Sequence, residues 1–152
     1  MVTVGRPRAP GLASAMEEYR RRLSRWEAVE WVVVPEARGR AGSDPDGIRR
    51  WEGAHVLAAL KPRDWVVALA VEGVEDDSFA FARRLESWRA TGRPVALVVG
   101  GAFGLDRRVL DRADWQWSLS RLTLAHEVAQ LVALEQLYRA FTILTGHPYH
   151  KG

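Results

Sequence analysis

The run Trp65-Val-Val-Ala-Leu-Ala-Val71 constrains the fold more than any other segment. A strand with one wet face alternates apolar and polar side chains, whereas this one offers water nothing on either side. Such a strand belongs inside a parallel sheet with helices on both faces. Four more β-rich runs, at residues 2–4, 29–34, 94–99 and 117–120, alternate with helix-like stretches near 12–26, 47–60, 76–90 and 125–144. Strands separated by helices of this length predict an α/β fold with a mostly parallel sheet. Asp76-Asp-Ser78 reads as a helix start, Thr91-Gly92-Arg93-Pro94 as a stop, Thr123 as an N-cap and Gly146 as the C-cap of the last helix. At 152 residues the chain suits one core, hence one domain over 1–152.

Composition removes several classes of function. The absence of cysteine excludes disulfides, thiolate nucleophiles and cysteine-based zinc sites. No apolar run approaches the roughly 20 residues needed to cross a bilayer, and the chain begins Met1-Val-Thr-Val without a basic-then-apolar leader. The cytoplasm is therefore the expected compartment, with no membrane partner. Of the 22 basic residues all but Lys61 and Lys151 are arginine. The groups Arg20-Arg21-Arg22, Arg38 with Arg40, and Arg49-Arg50 crowd the first third. Guanidinium matches phosphate in a planar, bidentate way, so RNA or DNA is a plausible partner; charges spread over solvated helix faces are the plainer alternative. The turn-rich stretch 36–46, which carries Arg38 and Arg40, reads as a basic loop.

Three constellations could carry chemistry. Gly100-Gly101-Ala102-Phe103-Gly104 follows an apolar strand, where ligands of open α/β sheets collect, but its spacing matches neither the dinucleotide nor the P-loop pattern. Read alone, it also fits a strand-to-helix turn. The segment Trp117-Ser-Leu-Ser-Arg-Leu-Thr-Leu-Ala-His126 leaves a loop before the long final helix, able to offer backbone amides and carbonyls or simply to cap that helix. On the helix Glu135 and Arg139 stand four apart, and beyond it His147, Tyr149 and His150 fall within four residues. Imidazoles and a phenol exchange protons and stack on bases, whereas two histidines without a third ligand are a poor metal site.

Taken in order, Val98-Val-Gly-Gly-Ala-Phe-Gly-Leu105, the 117–126 segment, Leu134-Glu-Gln-Leu-Tyr-Arg-Ala140 and His147-Pro-Tyr-His-Lys151 resemble the ribosomal RNA large subunit methyltransferase H family of the SPOUT superfamily. Glu18-Tyr-Arg-Arg-Arg22 extends the resemblance over nearly the whole chain. It implies a C-terminal trefoil knot, which general topology rules would disfavour. It also implies a homodimer, S-adenosyl-L-methionine as cofactor, and methylation of N3 of a pseudouridine in large-subunit ribosomal RNA on the assembled ribosome. By position the cofactor pocket would use Ala70, Gly101, and Ser120, Arg121, Leu122, Thr123, Leu124 and Ala125. The family commonly has aspartate where Ala70 stands and proline where Ala125 stands, so no side-chain role is open to Ala70.

Methyl transfer needs an in-line nucleophile and removal of the imide proton. His150, His147, Tyr149 and Glu135 are the candidate proton acceptors or base-positioning groups. Arg139, Arg20, Arg21, Arg22, Arg38 and Arg40 are the candidate RNA contacts. A non-catalytic ribosome- or RNA-binding domain with a degenerate cofactor pocket is the alternative.

Overall fold

The computed structural model describes residues 1–37 and 44–151. Five strands, β1 (Val2–Val4), β2 (Val32–Val34), β3 (Trp65–Glu75), β4 (Val95–Val99) and β5 (Trp115–Ser118), form one sheet in the order β2-β1-β4-β3-β5. Every pairing is parallel. The connections run through α1 (Pro10–Leu23), α2 (Pro45–Ala59), α3 (Ser78–Ala90) and α4 (Arg107–Arg112), and α5 (His126–Leu144) follows β5.

The unalternating sequence of β3 is explained by two cores. Val67 packs with Met16 and Leu23 of α1, Phe81, Leu85 and Trp88 of α3, and Leu134, Tyr138 and Phe141 of α5. Its neighbour Val66 points the other way, to Val56 of α2 and Val109 of α4. Leu97 and Val98 of β4 divide in the same manner. Both faces of the central strands are dry, as a parallel sheet requires.

Several boundaries differ from the sequence reading, for local reasons. Only residues 32–34 of the 29–34 run pair with β1, beginning at Val2↔Val32. The Glu30 carbonyl instead accepts from the Met1 amine at 2.6 Å, and the Trp31 indole donates to the Thr3 hydroxyl at 2.8 Å. β5 starts two residues earlier than expected, at Trp115 opposite Val67, and stops at Ser118, where the Ser118 and Ser120 hydroxyls bond into a turn. β3 extends to Glu75, but both Leu69 and Val74 pair with Trp117, so residues 70–73 bulge out of the ladder. Thr123 is not the cap of α5. Ala125 occupies that position, with φ −56° and no capping side chain.

The end of α5 determines the course of the tail. Thr145 is the C-cap and Gly146 follows with φ +66°, a left-handed conformation that favours glycine. The His147 amide reaches back to the Thr142 carbonyl at 2.9 Å and the Gly146 amide to Ile143 at 3.3 Å, the Schellman pattern. The last residues thus fold back along α5 instead of continuing its axis.

Candidate active site

A cleft of about 660 Å³ opens beyond the carboxyl ends of β3, β4 and β5. Its walls are the β3 bulge (Leu69 to Glu72), the glycine loop (Val99 to Leu105) and the loop before α5, from Leu119 through Ser120 and Leu122 to His126. Three adjacent parallel strands release their chains at one edge, and that edge is where open α/β sheets bind ligands. Of the residues expected at a cofactor pocket, Ala70, Gly101, Ser120, Leu122, Thr123, Leu124 and Ala125 line this space. Arg121 points away and pairs with Glu75 at 3.0 Å, largely exposed.

The cleft is built mainly from main chain. The glycine loop closes on itself through the Gly104 amide and the Gly101 carbonyl at 3.1 Å. Ser120 accepts the Leu122 amide at 3.0 Å, shaping the opposite wall. A β-carbon on Gly101 would come 2.6 Å from a Glu52 carboxylate oxygen and 3.1 Å from Val4 Cγ1, so a larger residue here requires Glu52 to move or the loop to lift. The floor is Trp117, buried at 3% exposure and stacked on Phe81 with centroids 4.0 Å apart. Phe103 and Leu122 stand exposed at the mouth, and Arg49, unforeseen there by the sequence, contacts the Phe103 carbonyl at 3.3 Å. Size and backbone polarity fit an adenosyl group with a flexible charged chain.

The tail forms a second cluster. Oε1 of Glu135 accepts from Arg139 at 2.5 Å and from the Tyr149 hydroxyl at 3.0 Å, while Gln136 donates to Oε2 at 2.5 Å. Arg139 also meets Nδ1 of His150 at 3.2 Å and lies over the Tyr149 ring. A guanidinium only donates, so Nδ1 accepts, and the neutral imidazole then carries its proton on Nε2. Burial, reinforced by the Tyr19 hydroxyl and by Glu135, raises the Tyr149 phenol far above its ordinary value and keeps it protonated at neutral pH. The Glu135 carboxylate likewise raises the Arg139 guanidinium.

Two members of this cluster were not visible in the sequence. Tyr19 of α1 places its hydroxyl 3.3 Å from that of Tyr149, 130 residues away, and Phe79 of α3 meets His150 edge-on at 4.9 Å. His147 stands apart, edge-on to Trp26. Arg20, Arg21 and Arg22 lie on the last turn of α1, paired with Glu17 and Glu18 at 2.6 to 2.7 Å. Arg22 also lies over Tyr19 and Tyr138, which puts this basic turn beside the tail cluster. Arg38 and Arg40 fall outside the described residues. None of Glu135, Arg139, Tyr149 and His150 lines the cleft. Among the described residues no group of three or more acidic or histidine side chains could hold a metal, and no helix is long and apolar enough to cross a membrane.

Comparison with known proteins gives this geometry a context. Residues 1–150 match the family model described as a predicted SPOUT methyltransferase. The chain therefore belongs to the SPOUT methyltransferases, enzymes that use S-adenosylmethionine. Within them it is 53% identical over 151 residues to the ribosomal RNA large subunit methyltransferase H of Anaeromyxobacter sp. (strain Fw109-5), covering 99% of this chain and 97% of that one. It is 42% identical over 153 residues to the protein of that name from Chromohalobacter salexigens, again covering 99% and 97%. It belongs to that family of methyltransferases. A more distant likeness is the SpoU methyltransferase AviRb of Streptomyces viridochromogenes, solved with its cofactor AdoMet. Its TM-score is 0.45 and its identity 18%, covering 91% of this chain and 56% of that one, too remote to bear on the assignment.

Proposed function

We propose that this methyltransferase acts on large-subunit ribosomal RNA, transferring a methyl group to N3 of a pseudouridine on the assembled ribosome, as a homodimer in the cytoplasm. The substrate class follows from the relatives, which are named for it at up to 53% identity over nearly their whole length. The observation that carries the mechanism is the separation of two half-sites. The cleft holds backbone donors and acceptors but none of the tail's proton-exchanging groups, which gather instead around Glu135 and Arg139 outside it. A two-fold dimer that sets the tail of one protomer at the cleft of the other completes the site. Val71, Phe103 and Leu122, exposed around the cleft mouth, supply an apolar rim for that contact. The C-terminal segment would be threaded as a knot, as the resemblance implies.

When bound, S-adenosylmethionine supplies an electrophilic methyl group on a positively charged sulfur. The loops at 69–72, 99–105 and 119–126 would hold it. The imide N3 of the target base forms the new N–C bond as the methyl group's bond to sulfur breaks, its electron pair staying on the departing thioether, and the N3 proton leaves. Tyr149 and Glu135 serve as the acceptor pair: the N3 proton passes to the Tyr149 oxygen while the hydroxyl proton moves to Glu135 across their 3.0 Å contact. His150, with its proton on Nε2, donates to a carbonyl oxygen of the base and so stabilises the charge that develops as N3 loses its proton. Arg139 holds both groups in place, and the α1 arginines beside the cluster contact phosphate.

Specificity on this reading comes from the ribosome and from both protomers, so protein-free RNA is a poor substrate. Mass spectrometry of ribosomal RNA from cells with and without the protein tests the reaction: one N3-methylated pseudouridine is lost on deletion. His150→Ala is expected to reduce turnover on ribosomes more than it weakens cofactor binding. Equal methylation of naked RNA would contradict the ribosome requirement, and an unchanged single-turnover rate would remove His150 from the mechanism. The competing reading, a non-catalytic RNA-binding domain, requires that calorimetry detect no S-adenosylmethionine binding at millimolar concentration.

A further inference from the structure

Beneath the glycine loop lies a carboxyl group that the reaction as described does not use. Glu52, on the inner side of α2, is 6% exposed. Its Oε1 accepts the Ala37 amide at 3.1 Å, which ties down the segment after β2. Its Oε2 is buried without a hydrogen-bond partner among the described residues and faces Gly101, whose missing β-carbon would stand 2.6 Å away. The next residue, Gly53, is pressed against Asp106, where a β-carbon would come 2.4 Å from that of Asp106. Asp106 in turn caps α4, accepting from the Arg108 amide at 3.0 Å. Two consecutive residues of α2 therefore touch the two ends of the loop that forms one wall of the cleft.

We propose that Glu52 is a positioning residue for methyl transfer: seated under Gly101, its carboxyl sets the depth of the glycine loop and hence the shape of the cofactor cleft. An ordinary core residue would fill the same space but leave the Ala37 amide unsatisfied, and a buried polar group without a partner is costly enough to be rare. Glu52 does both jobs, bonding Ala37 through one oxygen and packing on Gly101 through the other. Burial raises its pKa, with the neighbouring Glu36 adding to the shift and the Ala37 amide and His126 opposing it, which makes a neutral carboxyl in this position less costly. Glu52 does not line the cleft, so its influence reaches the ligand only through Gly101.

The inference rests on the cleft being the cofactor site, and the experiment keeps the two claims apart. Cofactor affinity by calorimetry, KM and kcat on ribosomes, and melting temperature are measured for the wild type, E52Q, E52A, G101A and the double variant E52A/G101A. Glutamine keeps the shape and an acceptor for Ala37, so E52Q should hold KM for the cofactor within about twofold of wild type. E52A should raise that KM by about tenfold or more while lowering kcat by less. G101A should weaken cofactor binding by about a hundredfold, and that penalty should shrink by about tenfold in the E52A background, where the clashing oxygen is gone. An E52A variant that melts lower but keeps its KM, or a G101A penalty equal in both backgrounds, would overturn the proposal. A wild-type protein that gives no heat with S-adenosylmethionine would instead refute the cleft assignment on which it stands.

Discussion

The cleft and the tail cluster are built on opposite plans. Cleft walls are loops held by adjacent strands, and their ligand-facing polarity is largely main chain: Gly101, Ser120 and the 122–126 run contribute position more than side-chain identity. Around Glu135 the reverse holds, because Arg139, Tyr149, His150, Tyr19 and Phe79 meet through their side-chain ends. A backbone-built site tolerates changes of side chain but not of backbone placement, whereas a side-chain network fails when one member is lost. Such a plan would let Ala70 and Ala125 stand where the family resemblance leads one to expect aspartate and proline.

The contrast can be broken at its strongest point first. Trp117 belongs to both the core and the cleft floor, so Trp117→Ala should cost about 3–5 kcal/mol of stability, read by urea titration, and abolish cofactor binding with it. A variant that unfolds normally yet lacks affinity would show the indole acting on the ligand alone. Glu135→Gln comes next: turnover should fall by about a hundredfold or more at unchanged cofactor affinity, since the acceptor of the Tyr149 proton is lost. Parallel losses in both quantities would merge the two regions into one. A smaller effect is expected at Ala125, whose φ of −56° is one that proline adopts. Ala125→Pro should leave cofactor affinity unchanged and add at most about 1 kcal/mol of stability.

The smallest effect concerns pH. The folded-state pKa of Glu52 is raised above the ordinary 4.5, so the protonated carboxyl favours the folded state below that value, and this advantage is lost as pH rises from 4.5 through the raised pKa. Glutamine carries no such proton. Glu52→Gln should therefore gain stability relative to wild type between pH 4.5 and neutrality, and a constant difference across that range would refute the raised pKa.

Much of the fold was legible because burial writes itself into sequence. The unbroken apolar run of β3 required two helical layers, and it has them. Its bulge was not legible, because the doubled pairing of Leu69 and Val74 with Trp117 is a property of register, which residue types along one strand do not specify. The cleft loops could be located since loops follow strands, whereas the tail network could not be assembled. Tyr19 and Phe79 reach it from helices far away in sequence, and no local spacing announces a contact across 130 residues. The triple arginine shows the same limit. Its charge was plain, but its pairing with Glu17 and Glu18 and its place beside Tyr19 depend on how α1 packs on α5.

The central claim is that one active site takes its cleft from one protomer and its tail from the other. Mixing two inactive variants tests it most directly: Gly101→Val, whose side chain would collide with Glu52 and Val4 and so distort the cleft wall, and Glu135→Gln combined with His150→Ala, which disables the tail. After unfolding and joint refolding, random pairing leaves half the molecules as mixed dimers, each with one complete site, so activity on ribosomes should return to about a quarter of wild type. If the mixture stays as inactive as its components while mixed dimers are present, cleft and tail work within a single chain and the account is wrong.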